Sequence, residues 1–141
     1  MMQHPAVTIH GLEDGRRALA AGLPVLLLSP EGAGAWAGAL WWQALIDRLR
    51  VEFPGISFTD SLDCAASPGA AMAALRVGCR ALVLRREVPA WPAVAAAAAS
   101  LGGELFASRP ESLDLAGPGA GRRLPDWLGH SHGVAPPKKS E

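Results

Sequence analysis

Two short runs with no polar residue in them, Val25-Leu26-Leu27-Leu28 and Ala81-Leu82-Val83-Leu84, constrain the fold of this chain more than any other feature. Each lies just after a glycine suited to stopping a helix, Gly22 or Gly78, and each gives way to a turn. Four residues are too few for a helix of ordinary length. A run that is apolar at every position has no side to offer water, so each predicts a strand covered on both faces, as in a parallel sheet. The surrounding phrases repeat the pattern. Ala18 to Leu28 and Ala74 to Leu84 both read A-L-x-x-G-x-x-x-L-x-L, and both lead into a helix with an early tryptophan, Trp36 or Trp91. A duplicated half would give this echo, and so would the ordinary grammar of parallel α/β units.

The remaining segments fit the same alternation. A strand is expected over 6–10 and a helix over 12–21, then, after the loop Ser29-Pro30-Glu31-Gly32-Ala33-Gly34, a long helix over 35–52 closed by Phe53-Pro54-Gly55. A third strand lies within 56–63. Ser67 is placed to cap the next helix, Pro68 suits its first position, and Gly78 ends it. Pro89 and Pro92 fall in the first turn of a fourth helix that stops at Gly102-Gly103, and 104–107 makes a fifth strand at an edge. The fold class is therefore α/β: five mainly parallel strands alternating with four helices in a single domain over 1–115, with the strand order undetermined. From 116 to 141 the chain turns rich in Gly and Pro and reads as a C-terminal tail. Leu124-Pro125-Asp126-Trp127-Leu128 carries enough apolar area to dock back on the domain.

A chain of 141 residues buries roughly two-thirds of its unfolded surface, enough for one core without staples. Its 13 basic and 13 acidic residues cancel, and no stretch of five like charges occurs, so nucleic acid is not expected as a partner. No run approaches the ~20 apolar residues of a membrane-crossing helix, and the start lacks the basic-then-apolar pattern of a secretory leader. Cys64 and Cys79 sit among apolar neighbours as reduced core thiols, which favours a cytoplasmic location.

The phrases Ala74-Leu75-Arg76-Val77-Gly78 and Ala18-Leu19-Ala20-Ala21-Gly22 resemble repeating units of aldolase-type (β/α) barrels, the span 6–108 corresponding to about half of one. That resemblance implies architecture, and a Schiff-base lysine or metal-binding carboxylates. The chain's lysines are Lys138 and Lys139 in the tail, so lysine-dependent aldol chemistry is excluded. The longer phrase from Leu62 to Gly78 resembles small uncharacterised bacterial proteins of alphaproteobacterial type, which implies no activity.

Parallel sheets place their ligands beyond the carboxyl ends of the strands, where His10, Ser29, Glu31, Asp63, Cys64, Arg85, Arg86, Ser108 and Arg109 fall. Asp63 before a capped helix suits a general base, or an anion site shared with Arg85 and the amides at Ser67 and Gly69; the alternative is that Asp63 caps its turn and Cys64 is packed. As a nucleophile Cys64 needs a base, for which His10 is the domain's candidate. Gly32-x-Gly34-x-x-x-Gly38 approximates a dinucleotide-binding loop, but Ser29-Pro30-Glu31 separates it from the strand and Glu31 places a negative charge beside the phosphates. His130-Ser131-His132 lacks the further ligands of a metal site. No metal and no cofactor is expected.

On the long helix Trp42, Leu45, Ile46, Leu49 and Phe53 form one apolar stripe, which leaves Trp36 and Leu40 on the far side. Those two are expected to meet the Trp127 tail or a second copy of the chain in a homodimer. The expected function is non-catalytic, through association as a homo-oligomer or through weak ligand binding. The alternative is a small enzyme or sensor for a phosphate-bearing metabolite at the strand-end rim. Burying the second apolar run yields a direct test: Leu82→Asp places an unpaired carboxylate in apolar surroundings at several kcal/mol, comparable with a total stability of ~5 to 15 kcal/mol. Circular dichroism is expected to show an unfolded chain, and a wild-type melting temperature would refute the assignment.

Overall fold

The computed structural model describes residues 4–129. Six strands, β1 (Ala6–Thr8), β2 (Val25–Leu28), β3 (Phe58–Asp63), β4 (Ala81–Val83), β5 (Glu104–Phe106) and β6 (Ser112–Asp114), form one sheet in the order β5-β4-β3-β2-β1-β6. Every pairing is parallel. Six helices accompany them: α1 (Leu12–Leu19), α2 (Ala33–Trp36), α3 (Ala39–Glu52), α4 (Pro68–Arg76), α5 (Trp91–Ser100) and α6 (Ala120–Leu128). The first apolar run is a buried strand as expected, all four residues of β2 being buried; the second forms β4 over Ala81–Val83, with Ala81 half-buried, Leu82 at 0% exposure and Leu84 buried just past the strand end.

Alternation along each strand sorts the side chains into two faces. Val7, Val25, Leu27, Phe58, Leu62, Leu82 and Leu113 join one core with Leu19, Trp42, Leu49, Leu75 and Val94 from the helices. The other face is more polar. Thr8, Leu28 and Ser61 share one row across β1, β2 and β3, and Asp63 and Val83 share another across β3 and β4; all five are buried.

A short connection covers that second face. β5 and β6 are the two edges of the sheet, yet only Ala107 to Glu111 link them. Six flat strands measure about 24 Å from edge to edge, whereas the span from Phe106 to Ser112 reaches at most about 22 Å when fully extended. The sheet is therefore curled, and the connection crosses its concave side.

The strand and helix counts exceed the expected five and four because three elements carry weak signals. β6 is only Ser-Leu-Asp, too short for its alternation to register. The helix expected over 35–52 is divided at Gly38, whose φ of +94° belongs to a region that few other residues enter, so α2 and α3 are separate. Within the expected tail, α6 forms despite Pro125 and buries Ala120, Leu124 and Leu128, the docking anticipated for 124–128. His130, Ser131 and His132 lie outside the described residues.

α1 and α3 are joined at their surfaces by Glu52, which accepts from Arg16 Nε at 2.8 Å and Nη2 at 2.7 Å and from Arg48 Nε at 2.6 Å. Hydrogen bonds from Arg16 and then Arg48 hold its carboxyl down at about 2, against 4.5 ordinarily. A lowered native pKa contributes stability that is complete above the unfolded value and lost as pH falls through the folded one. Glu52→Gln is accordingly expected to be less stable than wild type at neutral pH, with the difference closing between about pH 4.5 and 2. Urea unfolding of both proteins across that window checks it.

Candidate functional site

Asp63 ends β3 on the concave face and is 1% exposed. Its Oδ1 accepts the Ala65 N–H at 2.7 Å and the Gly32 N–H at 3.2 Å, and its Oδ2 accepts Arg109 Nη1 at 2.8 Å. The Asp63 N–H donates in turn to Ser29 Oγ at 2.9 Å. One carboxylate thus ties together the loop after β2, the loop after β3 and the β5–β6 connection. Arg109 continues the chain of bonds by donating Nη2 to Thr8 Oγ1 at 2.8 Å, and that hydroxyl is 2.7 Å from Ser112 Oγ.

The local backbone is shaped to this purpose. Ala65 has φ +50°, the single positive value outside glycine among the described residues, at a cost of roughly 1 to 2 kcal/mol. That conformation delivers its N–H to Asp63 and leaves its carbonyl to accept the Arg85 N–H at 2.9 Å.

Several sequence expectations change here. With three donors on its oxygens Asp63 is a structural tie, the capping alternative, and not a free base. Cys64 lies at 0% exposure; burial first, and then the charge of Asp63, pushes its thiol up to about 12. It packs against α2, where a β-carbon on Gly34 would stand 2.8 Å from its Sγ. His10 is engaged elsewhere, its Nε2 lying 2.7 Å from Asp114 Oδ1, so among the described residues no base serves Cys64 and the nucleophile reading is withdrawn. Burial works to raise the Asp114 carboxyl, but the Ala116 N–H, His10 and the charge of Arg109 together hold it below its ordinary value. The glycine loop has no amide for a dinucleotide at Gly32, which is bound to Asp63.

The expected anion set is only partly assembled. Ser67 Oγ accepts the Ala70 N–H at 3.1 Å and caps α4, as foreseen. Asp63 and Arg85 line a cleft of about 350 Å³ at the carboxyl ends of β3, β4 and β5, with Glu31, Ala65, Val83, Arg86, Glu87, Ala107, Ser108 and Arg109; Ser67 and Gly69 are not among its walls. Arg85 Nη2 pairs with Glu31 Oε2 at 2.9 Å. Arg86 lies with its guanidinium carbon over the Trp91 indole, 4.7 Å from the ring centroid, and has no carboxylate partner among the described residues. Trp91 is itself held by its Nε1 donating to the Leu84 carbonyl at 2.9 Å.

A larger hollow of about 700 Å³ opens at the amino ends of β3, β4 and β5, beside Trp42, Asp47, Arg50, Arg80 and Glu104. Its most enclosed acid, Asp60, is taken by Trp42 Nε1 at 3.1 Å and Arg50 Nη2 at 3.0 Å. Among the described residues no cluster of three His, Cys, Asp or Glu side chains is arranged to hold a metal ion, and no helix is long and apolar enough to cross a membrane.

Trp36 and Leu40 are 67% and 68% exposed. The Trp127 tail does not cover them. Its Nε1 donates to the Ala6 carbonyl at 2.7 Å, at the amino end of β1, whereas Trp36 donates to the Glu31 carbonyl at 3.0 Å just past the carboxyl end of β2. Trp127 is thereby an internal contact.

Thr8, Ser112 and Arg86's aromatic seat were not singled out from sequence. Thr8 meets Ser112 and Arg109 across 104 and 101 positions, which no local signal reports, whereas Trp91 stands only five residues after Arg86. No protein-family model matches this sequence, and no curated protein matches it.

Arg109 is the sole cation on a buried carboxylate, and breaking such a pair costs about 3 kcal/mol or more. Arg109→Ala is expected to lower the urea midpoint accordingly, and Asp63→Asn to cost less in the Arg109→Ala background than in wild type. Additive losses in that double-mutant cycle would show that the two side chains are not coupled.

Proposed function

We propose that this protein binds a small phosphate-bearing metabolite in the cleft beyond the carboxyl ends of β3, β4 and β5, as a binding or sensing domain. The observation that carries this reading is Arg86, a guanidinium fixed over Trp91 at the cleft with no carboxylate to neutralise it. A preordered arginine suits phosphate because its donors match the oxyanion geometry without further loss of freedom.

The neighbouring ion pairs divide by their cost. Arg109 is bound to a buried carboxylate, so it stays with Asp63. The Arg85–Glu31 pair has side chains 51% and 62% exposed, and exposed pairs contribute only about 0 to 1 kcal/mol. Arg85 is therefore free to exchange Glu31 for a ligand oxyanion, joining Arg86. Glu87, also at the cleft, tempers the affinity and favours a ligand with donors of its own beside the phosphate. The saturated Asp63 and the sealed Cys64 speak for binding over bond-making.

Association between copies is a second reading, favoured by the exposure of both Trp36 and Leu40; Leu40→Asp would then shift the molar mass seen by light scattering. A reducing, cytoplasmic setting accords with Cys64 and Cys79, both free and buried.

The cleft reading predicts that ribose 5-phosphate raises the melting temperature and that Arg86→Ala, an exposed position, abolishes the rise while the unliganded fold is unchanged. No rise in wild type, or an equal rise in Arg86→Ala, would count against it.

A further inference from the structure

We infer that Trp36 is part of the same site and that the ligand is a phosphate carrying a planar ring, of the nucleoside monophosphate class. This rests on the cleft reading and names its ligand more narrowly.

Glu31 joins the two features. Its carbonyl accepts Trp36 Nε1 at 3.0 Å, and its carboxylate reaches the cleft to pair with Arg85 at 2.9 Å. The indole also lies against Gly32, where a β-carbon would be 3.6 Å from Cδ1, and Trp41 backs it with ring centroids 6.4 Å apart. Trp36 is thus held in one orientation while two-thirds of it faces water. The fold gains little burial from such a ring. An oriented, exposed indole beside an arginine-lined cleft is instead a platform for a base, with the phosphate falling among the arginines.

The test compares adenosine 5′-monophosphate with ribose 5-phosphate by calorimetric titration of wild type, Trp36→Ala and Trp36→Phe. Stacking of this kind makes the nucleotide about tenfold tighter than the sugar phosphate in wild type. Trp36→Ala is expected to remove that advantage without changing the affinity for ribose 5-phosphate, and Trp36→Phe to restore most of it. Equal affinities for both probes in wild type would overturn the inference and leave the cleft reading standing. An equal loss for both probes in Trp36→Ala, or a change in molar mass with the nucleotide advantage intact, would likewise overturn it, the latter marking Trp36 as a contact between copies. Failure of ribose 5-phosphate to bind wild type would remove both.

Discussion

A single buried carboxylate organises the concave side of this protein. Asp63 is buried, so its charge is tolerable only with donors on both oxygens, and those donors come from three separate segments. Gly32 and Ala65 bend to supply theirs, each with positive φ. Arg109 must be carried across the sheet to supply the third, which is why an unstructured connection runs over a face that in many parallel sheets is covered by helices. The strain at Ala65, the loop conformation after β2 and the path of the connection share one electrostatic cause.

That cause also separates what is rigid at the rim from what is adjustable. Around Asp63 the side chains of Ser29, Arg109, Thr8 and Ser112 are paired in a low-dielectric setting where separation is expensive, Ser61 Oγ being the buried side-chain polar atom among the described residues that has no partner. One layer further out, Arg85 and Glu31 meet in water, and Arg86 rests on an aromatic face. A ligand can exploit the outer layer without disturbing the inner one. Binding groups supported from beneath by a satisfied polar network keep their positions when empty, which lowers the cost of ordering them on binding.

The legible parts of the fold were those encoded by local pattern. β2 and β4 follow from apolar runs, the α4 cap from Ser67 and Pro68, and the core face of α3 from the spacing of Trp42, Leu45, Ile46 and Leu49. Gly38 was visible as a residue but not as the break between α2 and α3, because a glycine tolerates its φ of +94° without demanding it. β6 was illegible since three residues have no period of their own and acquire strand form only by pairing with β1. For the site, the strand-end rim could be read, including Asp63, Arg85, Arg86 and Arg109. Their division of labour could not. Arg109 follows an edge strand, and its reach to Asp63 depends on the curl of the sheet, a property of all six strands together.

The pairing of β1 with β6 has a consequence for the order in which the chain acquires its structure. Thr8 and Ser112 bond across 104 positions, and Asp63 meets Arg109 across 46. As the chain leaves a ribosome, β1, β2 and β3 can align with their helices long before Arg109 has been synthesised, so Asp63 stays hydrated and the concave face stays wet through most of translation. Drying of that face is then a terminal event, made when the connection swings across and β6 docks. The charged face is thus sealed only with the last third of the chain, together with the part of the apolar core that Leu113, Leu124 and Leu128 supply.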